Sequence, residues 1–323
     1  MNENLRKKLP IIEHTKVWLS ISLILIIIAV GAILVRGLNY GIDFIGGSVV
    51  TIDLHQTFDT KDIKQITDSF DKSADITYTG KQKHEVVIST KVSLTNRQQK
   101  RLFSKFQKKY HLDQKDLVSV ENITASVGAE TSRNTIIASI VAVVLMLVYI
   151  TIRFEFYFGL SAVLALVHDI VIVIGVYALF QIQVNSPFIA AILTILGYSI
   201  NDTIVVFDRI RENEGLLGIS TEAELDHLVD VSITQTMRRS INTVATTLVA
   251  IVALYIFAVD AIRDFALPLI VGIASGCYSS IFVASPLWVI FQKKSSQSKF
   301  NSKSQKNRNR QRTKRRHVEK IEV

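Results

Sequence analysis

The sequence contains a single cysteine. This residue, Cys277, lies in an apolar run toward the C-terminal end of the 323-residue chain. One cysteine excludes an intramolecular disulfide, even if part of the chain faces an oxidising compartment. We therefore expect neither metal nor thiol chemistry.

The sequence also lacks the motifs of common soluble enzymes. It contains neither a phosphate loop of the form G-x-x-x-x-G-K-[ST] nor a zinc-binding H-E-x-x-H. Asp169 and Asp202 could be nominated as the paired aspartates of an intramembrane protease, but nothing around them indicates peptide chemistry. We expect no catalytic residue, no metal, no cofactor and no hydrolytic active site.

Basic charge is confined to one end of the chain. The formal net charge is +9, but residues 292–323 hold 12 Lys and Arg against 2 Asp and Glu, which leaves residues 1–291 at about −1. A segment this polar cannot bury a core, so we expect a disordered tail at 292–323. Beside a membrane the tail would be attracted to anionic lipid. The RNA of a ribosome is the alternative polyanion that it could bind.

Long apolar runs dominate the rest of the sequence. Apolar residues make up 49% of the chain, and a helix needs about 20 of them in succession to cross a membrane. The first run follows four basic residues, as in a signal peptide, but it is too long and lacks a small-residue cleavage site, so we interpret it as a retained anchor. The six predicted spans are 17–35, 135–152, 156–180, 187–207, 243–259 and 265–291.

Lys and Arg in the short connections predict the orientation of these spans. They are concentrated in the N-terminal segment 1–16, at Arg153, in the connection 208–242 and in the tail. Basic residues resist translocation, so both termini should be cytoplasmic in a multi-pass protein of the cell membrane.

One long polar insertion, 36–134, then falls on the extracytoplasmic side. Alternating and periodic apolar positions predict strands at 48–54, 74–79, 84–91 and 117–127, with helices at 60–72 and 95–110. The expected hairpin turns at Gly80. The order β-α-β-β-α-β is that of a ferredoxin-like sandwich. We therefore predict an all-α six-helix membrane bundle with an inserted α+β ferredoxin-like domain.

A glycine-rich segment at 41–48 (G-I-D-F-I-G-G-S) joins the first span to this domain. Its glycines favour a tight turn into the first strand. A moving hinge is the alternative interpretation. The residues that carry either role are Asp43, Phe44, Gly46 and Gly47.

Asp202 lies inside the fourth apolar run, about 9 Å from the Asp208 end of a helix with a rise of about 1.5 Å per residue. A charged side chain in a membrane costs about 2.5–3.5 kcal/mol, so this one should face the bundle interior or water and have a partner. Asn201 and Thr203 are its polar neighbours in the chain.

The fifth run offers a partner at the same membrane side. Arg239, Asn242, Thr243 and Thr246 recur at helical spacing along one stripe. An ion pair between Arg239 and Asp202, gated by proton uptake, is one hypothesis. The other is that Arg239 extends to the lipid head groups.

A second polar pair lies near the centre of the third run. His168 and Asp169 are twelve and thirteen residues from its first residue, Phe156. They are either titratable sites or a polar clamp between neighbouring helices.

These motifs together resemble the SecD/SecF family of bacterial protein-export membrane proteins, within the resistance-nodulation-division superfamily. The resemblance rests on G-I-D-F-I-G-G-S at 41–48, G-Y-S-I-N-D-T-I-V-V-F-D-R-I-R-E-N at 197–213 and R-R-S-I-N-T at 238–243, and His168-Asp169 fits the same pattern. It covers residues 15–291, and the tail contains no family motif.

The resemblance implies a subunit that pairs with SecD and associates with the SecYEG channel and the SecA ATPase. Such a unit uses the proton-motive force to promote preprotein translocation across the cytoplasmic membrane. It implies that Asp202 responds to protons, that Arg239 is its charged partner, and that the 41–48 segment shapes the connection to the outer domain. A passive scaffold that holds emerging preprotein without proton coupling is the alternative.

Overall fold

A computed structural model describes residues 9–79, 84–217, 221–258 and 260–295. The predicted turn at Gly80, most of the basic tail and the first eight residues lie outside the described residues. In chain order the described elements are α1 (Thr15–Arg36), β1 (Asn39–Tyr40), α2 (Ile42–Ile45), β2 (Gly47–Asp53), α3 (Thr60–Thr67), β3 (Asp75–Thr79), β4 (Glu85–Thr90), α4 (Asn96–Tyr110), β5 (Leu117–Ile123), α5 (Ala125–Arg153), α6 (Phe156–Phe180), β6 (Gln183–Val184), α7 (Ser186–Leu217), α8 (Glu222–Phe257) and α9 (Asp260–Ser279).

Six helices in the described part are long and apolar enough to cross a membrane. They are α1, α5, α6, α7, α8 and a sixth over Ile262–Ser295, in which α9 continues through a π-helical turn at Ser280–Ala284. Each overlaps one of the six predicted spans. Hydropathy therefore locates every one of these helices, because a long apolar run is the basis of the prediction and also the property by which the helices are recognised.

The helices extend well beyond the apolar runs. Helix α5 begins ten residues before the predicted span at 135, and the predicted connection 208–242 is almost entirely helical. Helix α8 starts at a capping box in which the Thr221 hydroxyl accepts the Glu224 N–H and the Glu224 carboxylate accepts the Thr221 N–H. Hydropathy misses such extensions because backbone hydrogen bonds continue equally well in polar sequence.

Helices α6, α7 and α9 form the centre of the bundle. Helix α7 packs along α9, and α1 packs along α6. At the second contact a Cβ atom on Gly175 would lie 2.2 Å from the Cβ of Ala29, so only glycine permits this approach. About half of α6 is buried, whereas α5 and α8 leave most of their apolar surface uncovered.

The segment between α1 and α5 forms a four-stranded antiparallel sheet with the order β3-β4-β2-β5. Val50 in β2 pairs with Ile88 in β4 and Val120 in β5. Helices α3 and α4 pack on one face through buried residues such as Ile63 and Phe106. The elements follow one another as β-α-β-β-α-β, with the first helix ending at Thr67 rather than at residue 72.

The glycine-rich segment is a short structured element. It contains the single helical turn α2, and β1 before it pairs in parallel with β6 after the third span. Gly46 has φ 83° and Gly47 has φ 155°. A Cβ on Gly47 would lie 2.1 Å from the carbonyl oxygen of Thr90, so the chain enters β2 at a position that only glycine can occupy.

Candidate functional site

Asp202 is carried by α7, the helix that begins beside the glycine-rich segment. The Ser186 N–H at the start of α7 donates to Asp43 Oδ2 at 2.7 Å, and the Phe188 N–H donates to Asn185 Oδ1 at 3.1 Å. These contacts satisfy N–H groups that a helix start otherwise leaves open. Asp202 follows Ser186 by sixteen residues, about 24 Å along the helix axis.

A cavity of about 80 Å³ lies beside Asp202, between α7, α8 and α9. Water needs roughly 10–15 Å³ per molecule by this measure and several polar partners, so the cavity has room for a few waters. Its lining residues are Tyr198, Ser199, Asn201, Asp202, Val205, Arg239, Ser240, Thr243, Val244, Thr247, Ile273, Gly276 and Cys277.

Two polar atoms at this cavity have no hydrogen-bond partner in the described part of the chain. They are Asp202 Oδ2 and the Ser240 hydroxyl, and both are inaccessible to solvent. A buried polar atom without a partner is costly. Asp202 Oδ2 and the Ser240 hydroxyl therefore keep unused hydrogen-bonding capacity at the interface of α7 and α8.

Arg239 lines the same cavity as Asp202, as the helix positions predicted. No ion pair joins the two side chains among the described residues, and Arg239 is exposed. Thr243 also lines the cavity, but Thr246 does not, and its hydroxyl donates to the backbone carbonyls of Asn242 and Thr243. Thr247 occupies the cavity wall instead, because the helix turns by about 100° per residue.

Arg239 and Val205 also line a second, larger cavity of about 400 Å³ beside Asp208, in the C-terminal half of α7. Its wall carries Arg153, Asp208 and Glu212. The two cavities are therefore neighbours, with Arg239 and Val205 between them.

The second predicted polar pair lies deeper and is fully enclosed. Asp169 is 1% exposed and His168 is 4% exposed. Three serine hydroxyls donate to the Asp169 carboxylate at 2.7 Å each: Ser199 and Ser279 to Oδ2, and Ser275 to Oδ1. His168 Nδ1 lies 3.1 Å from Oδ1, so Asp169 joins α6 to α7 and α9.

Asn201 and Thr203 point in different directions from α7. Asn201 lines the cavity, whereas Thr203 is buried, with its hydroxyl 2.8 Å from the Ser280 hydroxyl in the π-helical turn. Thr203 therefore belongs to the contact between the fourth and sixth spans rather than to the cavity wall.

Phe44 anchors the glycine-rich segment to the membrane helices. It is 9% exposed and packs in an apolar cluster with Tyr177, Phe188 and Ala266. Together with the Asp43 cap on α7, this contact ties the entry of the four-stranded sheet to the helix that carries Asp202.

Sequence reasoning missed the serines. The sequence motifs single out no serine of the last span, yet Ser275 and Ser279 bind Asp169. Their i, i+4 spacing places both hydroxyls on one helix face. That spacing, opposite a buried acid, is the signal that could have revealed them.

No group of three or more His, Cys, Asp and Glu that could hold a metal ion occurs within the described ranges. The arrangement suits proton and water chemistry, because a carboxylate lines a cavity with room for water and an arginine lies between that cavity and a second, larger one.

Comparison with known proteins places these features in one family. Residues 103–294 match the family described as protein export membrane protein SecD/SecF, C-terminal, and residues 31–57 match the SecD/SecF GG motif. The second match contains the glycine-rich segment, and the first contains Asp169, Asp202 and Arg239.

Individual relatives agree. The protein translocase subunit SecF of Alicyclobacillus acidocaldarius is 41% identical over 265 residues, covering 80% of this chain and 85% of the relative. The SecDF subunit of Bacillus subtilis is 33% identical, covering 80% of this chain and 35% of the relative. The crystal structure of SecDF, a translocon-associated membrane protein from Thermus thermophilus, superposes with a TM-score of 0.76 at 34% identity, covering 91% of this chain and 40% of that one.

Proposed function

Because the chain belongs to the SecD/SecF family of protein-export membrane proteins, we propose that this translocase subunit uses the proton-motive force to promote preprotein translocation. It is a multi-pass membrane protein of SecF type that works with a SecD subunit. Proton coupling goes beyond family membership and rests on the Asp202 site.

The observation that carries the proposal is the cavity shared by Asp202 and Arg239. A carboxylate oxygen without a partner, on a cavity large enough for water, is a group that can take up a proton. Arg239 lies between this cavity and the larger one, whose wall carries Arg153, Asp208 and Glu212. Water in the two cavities would connect Asp202 with that side of the membrane.

The available energy suffices for a conformational switch. One elementary charge moving through 100 mV releases about 2.3 kcal/mol, equivalent to a factor of about 50 in an equilibrium constant. Helix α7 carries such a change to the outer layer, because its first N–H groups are held by Asp43 and Asn185. The 41–48 segment thereby acts as the mechanical link.

The surrounding assembly follows from the same proposal. The sheet layer is a ferredoxin-like domain on the extracytoplasmic side that contacts emerging preprotein, both termini are cytoplasmic, and the unit associates with SecYEG and SecA in the cytoplasmic membrane. ATP hydrolysis belongs to SecA, and this subunit has no hydrolytic site of its own. The basic tail binds anionic lipid.

The decisive experiment is preprotein import into inverted membrane vesicles, with and without an imposed proton gradient and at matched protein levels. Asp202→Asn and Arg239→Ala should abolish only the gradient-dependent part of import. Asp226→Asn is the matched control, since it removes a carboxylate from α8 outside the cavity, where Asp226 pairs with Lys293 at 2.7 Å. Wild-type stimulation by Asp202→Asn vesicles would leave the passive scaffold as the better description.

A further inference from the structure

The carboxylate of Asp169 plays no part in the proton-coupling scheme, yet it has the densest set of hydrogen bonds inside the bundle. Both of its oxygens accept from a serine hydroxyl, and Oδ2 accepts from two. The donors come from α7 (Ser199) and α9 (Ser275, Ser279), while Asp169 itself belongs to α6. Hydrogen bonds to a carboxylate are about twice as strong as those between neutral groups.

The arrangement needs an acceptor on both oxygens. An asparagine at position 169 would place an NH₂ group where the carboxylate has an acceptor, so at least one serine hydroxyl would have to turn and accept instead of donating. Ser279 also lies within reach of the Gly276 carbonyl of its own helix, at 3.2 Å. Asp169 therefore joins α6 to α7 and α9 through three hydroxyls that all donate to one carboxylate.

Ser199 connects this cluster with the proton site. It precedes Asp202 by three residues on α7 and lines the same cavity. Across the contact with α8, neither Asp202 Oδ2 nor the Ser240 hydroxyl has a hydrogen-bond partner within the described ranges. Near Asp202 the hydrogen bonds of α7 go to α6 and to the sixth membrane helix, whereas those to α8 lie farther along, where Asn213 donates to Ser232 and Gln235.

We propose that Asp169 is a positioning residue that holds α7, and with it Asp202, against α6 and α9, so that the movement that follows protonation of Asp202 takes place at α8. The inference rests on the proposed function, in which Asp202 takes up the proton. It adds which helices stay together and which one moves.

The titratable and charged groups around Asp169 are few. His168 adjoins it on α6, Asp202 lies beyond Ser199 on α7, and Tyr278 on α9 stacks against the His168 ring at 6.0 Å. Arg239 of α8 reaches the cavity but not the Asp169 cluster.

Cys277 supplies the reporter for a test. It is half-buried on α9 and lines the cavity with Asp202. Because it is the single cysteine of the chain, Cys277→Ala gives the background signal of the assay. We would measure the rate of its alkylation by a small maleimide in membranes that contain the full chain. The fraction still unreacted is measured by denaturing the sample and adding a polyethylene glycol maleimide, which shifts this chain on an immunoblot.

The measurement is a double-mutant cycle of Asp169→Asn with Asp202→Asn. If Asp169 sets the position of Asp202, the double variant should depart from the product of the two single effects by at least about twofold, the lower end for groups in one network. If Asp169→Asn fails to fold, a second cycle uses Ser199→Ala in its place. Ser285→Ala is the control, because this buried serine donates only to the Ser280 carbonyl of its own helix.

The proposal would be overturned if, in both cycles, the double variant matched the product of the two single effects, as it should when Ser285→Ala is combined with Asp202→Asn. Asp169 would then be a purely structural contact. The cycle needs no proton gradient. Unchanged import by Asp202→Asn would overturn the proposed function while the cycle still reported whether Asp169 positions Asp202.

Discussion

Replacing Gly175 by alanine should separate α1 from α6. The added Cβ would lie 2.2 Å from the Cβ of Ala29 and 2.6 Å from its Cα. Ordinary carbon contacts begin near 3.5 Å, so the helices would have to move apart by more than about 1 Å. Overpacking of this kind costs about 1–3 kcal/mol. The gain in helix propensity from glycine to alanine, about 0.8–1.0 kcal/mol, offsets only part of it.

The assay is thermal unfolding of the full chain in detergent, where Gly175→Ala should melt below wild type. Gly31→Ala is the control on the same pair of helices, because nothing lies within 4 Å of its added Cβ, and it should not destabilise. Adding Ala29→Gly to Gly175→Ala should restore only part of the stability, since the 2.6 Å contact with the Cα remains. A Gly175→Ala protein that melts at or above wild type would refute the close approach of α1 and α6.

Two further predictions concern the four-stranded sheet and its link to α7. The hydrogen bond between His55 and Asp116 raises the pKa of His55 above its ordinary 6.5 and lowers the pKa of Asp116 below its ordinary 3.8. The stabilisation is therefore complete between about these two values and is lost as pH rises through the raised pKa of His55 or falls through the lowered pKa of Asp116. Hydrogen exchange of β2 and β5, corrected for intrinsic rates, should show this window in wild type, and its persistence in Asp116→Asn would contradict the assignment. Asp43→Ala should lower the stability of the full chain by about 1 kcal/mol through loss of the cap on Ser186, whereas Asp43→Asn keeps an acceptor and should lose less; equal melting of both variants with wild type would show that the cap is unimportant.

The membrane helices and the family were accessible from the sequence because their signals are local. Twenty apolar residues predict a span wherever they occur, and the motifs at 41–48, 197–213 and 238–243 indicated the SecD/SecF family that the comparisons confirm. The helical continuation through 208–242 was missed, because hydropathy measures the apolar run and not the backbone hydrogen bonds that outlast it. Proton coupling by Asp202 and Arg239 stays a prediction.

The sequence by itself determined which residues are exceptional: an acid in each of two apolar runs, an arginine at the start of a third, and glycines at the domain entry. Only the tertiary structure decided who their partners are. Asp169 is bound by Ser199, Ser275 and Ser279, from two helices 30 to 110 residues away, and Asp202 shares a cavity with Arg239 without an ion pair. The reason is physical: composition and spacing set the face on which a side chain lies, whereas the packing of helices distant in sequence sets what that face meets.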